Sequence, residues 1–444
     1  MRRRLLLALL LTPCAAGAAD LLDIFRMAQG ADSTYAVARA TWAATQERVP
    51  IGRAGLLPVV SLSASTQRDD RDISFRDSTR SNSRFSSSGV TLSVTQPLIR
   101  IQNSIVYEQA LTQVQQADAQ LALAAQDLIL RTAQAYFDVL LAQDNVAFVE
   151  AQKTALQQQV NQARRAFEVG TAPVTDVHEA QARFDLVNAQ EIAARNELEL
   201  RRRGLELLIG REPPALAPLG PGFTLKSPEP NAVDPWLSLA AQQNLQVKAA
   251  QSGMTFSAQE IERNRAAHRP TLDVFANVSN NASGAGIQGG VGNDTRNRVV
   301  GLQLALPIYN GGATNARVRE AIANEDRSRN EYEVARRAAV FAARQAFLGI
   351  TNGTALVRAL DAALTSTQSQ LASTRVGQSV GVRTIVDVLN AQQLLFSARR
   401  DQAQAKYNYI ISLLRLEAAI GELTEHDIAA VNLWLDITTV RRFP

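Results

Sequence analysis

The sequence predicts an α+β membrane protein. A few membrane-length strands enter a barrel that several copies of the chain must close, and coiled helices of unusual length continue it; the whole is a tandem duplication. Three observations carry this. Four runs of about ten residues alternate apolar and polar side chains, the pattern and length of a tilted strand crossing an outer membrane. Two long stretches, 98–172 and 308–443, contain no proline, so helices can run through them without a break. Finally, Pro58 and Pro270, Pro97 and Pro307, and Gly170 and Gly381 stand 212, 210 and 211 residues apart, a near-constant shift that marks an internal repeat.

The chain opens with an address. Arg2, Arg3 and Arg4, the apolar run "LLLALLL" and the small residues "AAGAAD" form a secretory signal peptide over residues 1–19, with cleavage near Ala18 or Ala19. The apolar run is too short to span a bilayer as a helix, and no longer one follows. The one cysteine, Cys14, lies in this segment, so the mature chain is expected to hold no disulfide. Pro13 in "LTPC" disfavours a lipid attachment there. Removing three arginines takes the net charge of +4 to nearly zero, so nothing in the charge favours nucleic acid.

The mature sequence divides into a first repeat over 20–210, a connector over 211–235, a second repeat over 236–428 and a tail over 429–444. The segment "LLDIFRMAQGADSTYAVARATWAATQERVPIGRAGLLP" reads as a helix leading into the first strand. In that strand, about 57–68, Val60, Leu62 and Ala64 alternate with Ser61, Ser63 and Ser65; in the second, about 87–97, Val90, Leu92 and Val94 alternate with Thr91, Ser93 and Thr95. Strands at about 270–281 and 297–307 repeat the pattern with Leu272, Val274, Ala276 and Val278 and with Val300, Leu302, Leu304 and Leu306, although Phe275 interrupts the polar side. The polar stretches between paired strands read as loops facing the exterior. Four strands cannot close a barrel, for the smallest has eight, and open edges in lipid leave backbone groups unpaired. Oligomerisation follows.

Residues 101–168 contain neither proline nor glycine and would extend for about 100 Å as helix. Val114, Leu121, Leu128, Ala135, Ala142, Val149, Leu156 and Ala163 recur at a spacing of seven, with Val139, Val146, Val160 and Phe167 among the residues four further on. That heptad implies left-handed supercoiling against neighbours. Seven of the 15 prolines fall between Arg211 and Pro235, which makes the connector irregular.

Catalytic signatures fail on their context. "GAGIQG", residues 284–289, has the glycine spacing of a dinucleotide site but leads into a strand instead of a helix. "HEAQA" carries Ala182 where a zinc-protease motif needs its second histidine. His178, His268 and His426 show no metal-ligand spacing. No enzyme activity, cofactor or metal is expected.

The strongest motif is a turn that occurs twice. "EVGTAPVTDVHEAQARFD", residues 168–185, aligns with "SVGVRTIVDVLNAQ", residues 379–392, with Gly170 on Gly381, Val174 on Ile385 and Asp176 on Asp387. These stretches, together with "KYNYIISLLRLEAAIGELTEHDI" over 406–428, resemble the TolC family of outer-membrane efflux and secretion proteins, and the duplicated order of elements extends the resemblance over nearly the whole mature chain. The resemblance implies a homotrimer whose four strands per chain close one twelve-stranded β-barrel, continued into the periplasm by an α-helical coiled-coil barrel. It implies an exit duct of a tripartite export system for type I protein secretion, multidrug efflux or both. The partners are a periplasmic adaptor protein and an inner-membrane ABC or resistance-nodulation-division pump, with outer-membrane lipid around the barrel. The tip turns at about 168–176 and 377–387 would lie at the periplasmic end.

The same resemblance implies site roles. Arg383 matches an arginine that ties the tip helices to neighbours, with Thr175 and Asp176 as its partners, while the family's gate tyrosine falls on Gln378. Asp387 matches an aspartate of the entrance ring, whose second aspartate is replaced by Asn390, so the ring should carry less negative charge. Asp176 and Asp387 also each begin a helix, where a carboxylate is stabilised by ~0.3–1 kcal/mol whatever else it does. The reading that competes with the duct is a coiled-coil scaffold or adhesin stalk without a pore, which explains the heptads but not the strands.

Overall fold

The computed structural model describes residues 18–74, 80–285 and 291–438. Most of the expected signal peptide, including Cys14, lies outside them, as do residues 286–289 of the glycine-rich run and the tail beyond Thr438. The chain forms two compact units: one comprises the described residues up to Ala38, Ala122–Leu245 and those from Arg336 on, the other Arg39–Leu121 and Gln246–Ala335. Each unit thus takes parts of both sequence repeats. Among the described residues no helix is long and apolar enough to cross a membrane.

The second unit is organised by one antiparallel sheet in the order β1–β2–β3–β4, formed by Val59–Ser74, Arg80–Ile99, Thr271–Ala285 and Val291–Ala305. Its register sorts the alternating residues onto two faces. Val60, Val94, Ala276 and Val300 share one rung, and Leu62, Leu92 and Val278 share the next rung of that face. The opposite, mostly polar face carries Ser61, Ser93, Asn277 and Val299 on one rung and Ser63, Thr91, Ser279 and Asn297 on another, with the Ser61 and Ser93 hydroxyls 2.6 Å apart. Among the described residues nothing covers the apolar face: Leu62, Leu302 and Leu304 are each about 70% exposed.

Phe275, which breaks the polar side in sequence, is answered across the strand by Gly301. A Cβ on Gly301 would lie 2.8 Å from the Phe275 ring, so the missing side chain makes room for the aromatic one. The strands outrun the expected lengths and absorb much of the polar stretches read as loops. Cross-strand partners compensate the polar sequence: Arg84 Nε meets Asp70 at 2.8 Å, Arg80 pairs with Asp72, and the Ser87 hydroxyl donates to Asp69 at 2.6 Å.

The single helix expected before the first strand is three: α1 Leu21–Ala31, α2 Ser33–Gln46 and α3 Arg48–Ala54. Asp32 is extended and makes the first break. Its Oδ1 accepts from Tyr35 N at 2.7 Å at the start of α2, and both its oxygens accept from the Arg131 guanidinium, at 2.9 and 3.2 Å.

The remaining helices are α4 Ile101–Glu168, α5 Val174–Ile209, α6 Val233–Gln243, α7 Leu245–Ala266, α8 Ala313–Ser379, α9 Ile385–Ile420 and α10 Glu425–Asn432. The main core of the first unit gathers Ile24 and Phe25 of α1, Tyr136 and Leu140 of α4, Leu205 of α5, Ile350 of α8 and Ile410 of α9. The proline-rich connector crosses this core and is pinned by two buried tyrosines. Tyr136 donates to Ala217 O at 2.7 Å, and Tyr409 donates to Lys226 O at 2.7 Å while accepting from Lys226 N at 2.8 Å. The tail is not loose where it is described: Trp434 and Leu435 are buried, and Leu435 bridges to Leu219 of the connector.

Candidate functional site

The paired turns end the two longest helices in the same way. α4 closes with Gly170 at φ 77°, with Thr171 N donating to Ala166 O at 2.8 Å; α8 closes with Gly381 at φ 80°, with Val382 N donating to Gly377 O at 2.8 Å. These are Schellman-type closures, in which a left-handed glycine lets the chain turn back onto the last carbonyls. Nothing approaches either glycine's Cβ position within 4 Å, so the requirement for glycine is one of backbone conformation.

The helices that follow begin differently. α9 has Thr384 as its N-cap, and the Asp387 carboxylate accepts from Thr384 N at 2.9 Å and from its hydroxyl at 3.0 Å. Asp387 N in turn donates to the Thr384 hydroxyl at 3.2 Å, a reciprocal capping box. Hydrogen bonds from the Thr384 backbone and hydroxyl, assisted by the nearby Arg383 charge, hold the Asp387 carboxyl below the usual aspartate range. α5 starts instead from Pro173, which offers no side-chain cap, with Asp176 in its first turn. Repeat symmetry is kept at the glycine and lost at the cap. "T-I-V-D", residues 384–387, carries the signal in sequence, but Thr384 was not singled out there.

The turns are fastened by packing. Leu156, Val160 and Ala163 of α4, Ala180 and Val187 of α5, and Ile385 and Leu389 of α9 form one buried cluster. Val388, Ala391 and Leu395, on the other side of α9, pack on Leu371 of α8. α9 is therefore held from both sides by a stagger of adjacent residues that gives it two buried faces. A cavity of about 470 Å³ opens among α4, α5 and α9, lined in part by Phe148, Arg183, Gln392 and Arg400. Gln392 is 1% exposed and neither end of its amide has a hydrogen-bond partner.

Around these turns the structure places Arg383, Thr175 and Asn390 at the surface, and Gln378, Asp176 and Asp387 half-buried. Arg383 extends over Gly377, where an added Cβ would stand 2.8 Å from its Cγ. Sequence reasoning missed Gly377, although its position six residues before Arg383 is visible there. Among the described residues no hydrogen bond or ion pair within the chain links Arg383 to Thr175 or Asp176, while Asp387 is engaged by Thr384 of its own helix. Val169, Val380 and Val382 at the turns are each about 70–80% exposed.

A sheet that is apolar on one face, polar on the other and open at both edges, combined with helices of 67 and 68 residues ending in paired turns, defines an outer-membrane channel protein that extends into the periplasm. The comparisons agree. The family model described as "Outer membrane efflux protein" matches residues 26–211 and 236–422; the chain belongs to this family. It is 34% identical over 425 residues to the outer membrane protein TolC of Vibrio cholerae, covering 95% of both chains. It is 31% identical to the proteases secretion protein PrtF of Dickeya chrysanthemi, covering 99% of this chain and 97% of that one. The fold is that of the outer membrane protein VceC of Vibrio cholerae, with a TM-score of 0.78 at 18% identity over 90% of this chain and 96% of that one. The protein is an outer-membrane exit channel, and its family is one of channels, not of enzymes.

Proposed function

We propose that three copies close a single twelve-stranded barrel and form the exit duct of a tripartite export system. The observation that carries this reading is the open sheet. β1 and β4 are its two edges, and in a bilayer their unpaired backbone groups are satisfied only when β4 of one copy meets β1 of the next. The polar face then lines the lumen and the exposed leucines face lipid.

The tip turns are the proposed docking and gating end. The exposed valines Val169, Val380 and Val382 suit capture by a periplasmic adaptor protein, which joins the duct to an inner-membrane pump. Arg383 reaches Thr175 and Asp176 across neighbouring copies, consistent with its freedom from them inside one chain. Asp387 and Asn390 take the positions of the entrance ring, where Asn390 halves the charge that two aspartates would carry. Gln378, an uncharged amide, contributes at most a weak link. The relatives named for protease secretion favour a secreted polypeptide as cargo, with small-molecule efflux as the second use.

In-cell cross-linking of the intact envelope, followed by purification through this channel, tests the assignment. Recovery of an ABC exporter with its adaptor supports polypeptide secretion. A proton-driven resistance-nodulation-division pump assigns the duct to small molecules instead. A soluble periplasmic protein with no pump attached would sink the duct reading.

A further inference from the structure

The outward face of the sheet carries arginines that no acid among the described residues neutralises. The rung of Leu62, Leu92 and Val278 ends on β4 at Arg298, and the rung of Ala64, Val90 and Asn280 ends at Arg296. Both arginines thus stand on the apolar face, immediately beyond Val300, and both are exposed. On the opposite edge Arg68 of β1 continues the same face beyond Ala64 and Thr66.

Two acids of that face are already engaged. Asp70 holds Arg84 at 2.8 Å and Asp72 holds Arg80. Among the described residues this leaves Asp294, and no ion pair joins it to Arg296 or Arg298. These two arginines and Arg68 exceed what the face can satisfy, although an arginine directed at hydrocarbon is tolerated only close to the membrane interface. Stems lying along the apolar band with guanidinium groups at headgroup level meet that condition.

The strand ends that carry them lead into the β1–β2 and β3–β4 hairpins, while α3, α4, α7 and α8 adjoin the other ends. With the helices on the periplasmic side, the arginines lie at the outer leaflet. Residues two apart on a strand are about 7 Å apart, and each guanidinium donates two parallel hydrogen bonds to a phosphate. We infer that Arg296 and Arg298 form a binding site for the phosphate groups of an anionic lipid of the outer leaflet. Arg68 of the next copy completes it at the seam between β4 and β1. The part played by Arg68 rests on the barrel closure proposed above; the Arg296–Arg298 pair does not.

The test uses the full-length channel purified in mild detergent, with native mass spectrometry reading oligomer mass and bound lipid together. Delipidated wild-type protein is offered the phosphorylated outer-leaflet glycolipid or the same lipid after dephosphorylation. Retention of the phosphorylated form about ten-fold above the other is expected, and R296Q/R298Q should abolish that preference without changing the oligomer mass. Equal retention of the two lipids by the wild type, or an unchanged preference in R296Q/R298Q, overturns the site. So does competition by millimolar inorganic phosphate as effective as that by the lipid, since the site would then be one for free anions. The oligomer mass in the same spectra separates failure of this site from failure of barrel closure.

Discussion

Thr384 and Asp387 cap one another across the first turn of α9: the carboxylate accepts from the Thr384 backbone at 2.9 Å and its hydroxyl at 3.0 Å, and the hydroxyl accepts from Asp387 N at 3.2 Å. The equivalent aspartate, Asp176, follows Pro173 and receives no such cap. Asp387→Asn should therefore speed amide exchange in the first turn of α9 several-fold, whereas Asp176→Asn should leave α5 much less changed. Because the folded-state carboxyl of Asp387 lies below its unfolded value, the stabilisation is complete above about pH 4. It is lost as pH falls through the folded value, so the protection of this turn, taken relative to the intrinsic exchange rate at each pH, should not vary between pH 5 and 8. Equal effects of the two substitutions would remove the asymmetry.

The two turn glycines should respond alike. With φ of 77° and 80° and open space at each Cβ, alanine at Gly170 or Gly381 costs only the left-handed conformation, about 1 kcal/mol. Asparagine should cost less at both. Thermal unfolding of the assembled protein checks this, and a much larger loss at one turn would reveal a contact that the single chain lacks.

Asp32 couples the break between α1 and α2 to α4. It is 7% exposed, and the Arg131 guanidinium holds its carboxyl below the ordinary aspartate range. Arg131 is a third exposed, so Asp32→Asn should cost only about 1–2 kcal/mol. The wild type should lose that increment as pH falls below about 4, the unfolded value, and the variant should show a flatter acid limb in its unfolding curve.

Phe275 and Gly301 form a matched pair across β3 and β4. Gly301→Val places atoms against the ring and should destabilise the sheet by about 1–3 kcal/mol. Phe275→Leu in the same chain should recover most of that. The midpoint of heat modification of the outer-membrane oligomer on gels reads both, and additive losses would show that the two positions are independent.

Arg383→Ser should loosen the tip and raise single-channel conductance in planar bilayers. Exposed ion pairs of the kind proposed contribute only ~0.2–1 kcal/mol each, a strength that partner docking can overcome. Unchanged conductance in a fully assembled variant would remove Arg383 from the gate.

The parts legible in sequence are those set by local periodicity. Val60, Leu62 and Ala64 reveal a two-faced strand without reference to any partner, the heptad of α4 reveals a packed helix, and Gly170 and Gly381 announce two equivalent turns. Tertiary structure decided what depends on residues far apart in the chain. Arg84 and Asp70 turn a polar stretch into strand only once β1 and β2 are in register, and Gly301 becomes intelligible only opposite Phe275. Asp32 divides the first helix because Arg131, 99 residues away, meets it there. The faces of α9 are likewise assigned by α4, α5 and α8 together, and their packing buries Gln392 while leaving Asn390 in solvent. Periodicity encodes which side of an element is apolar; the neighbour that covers it is chosen by packing and charge across the fold.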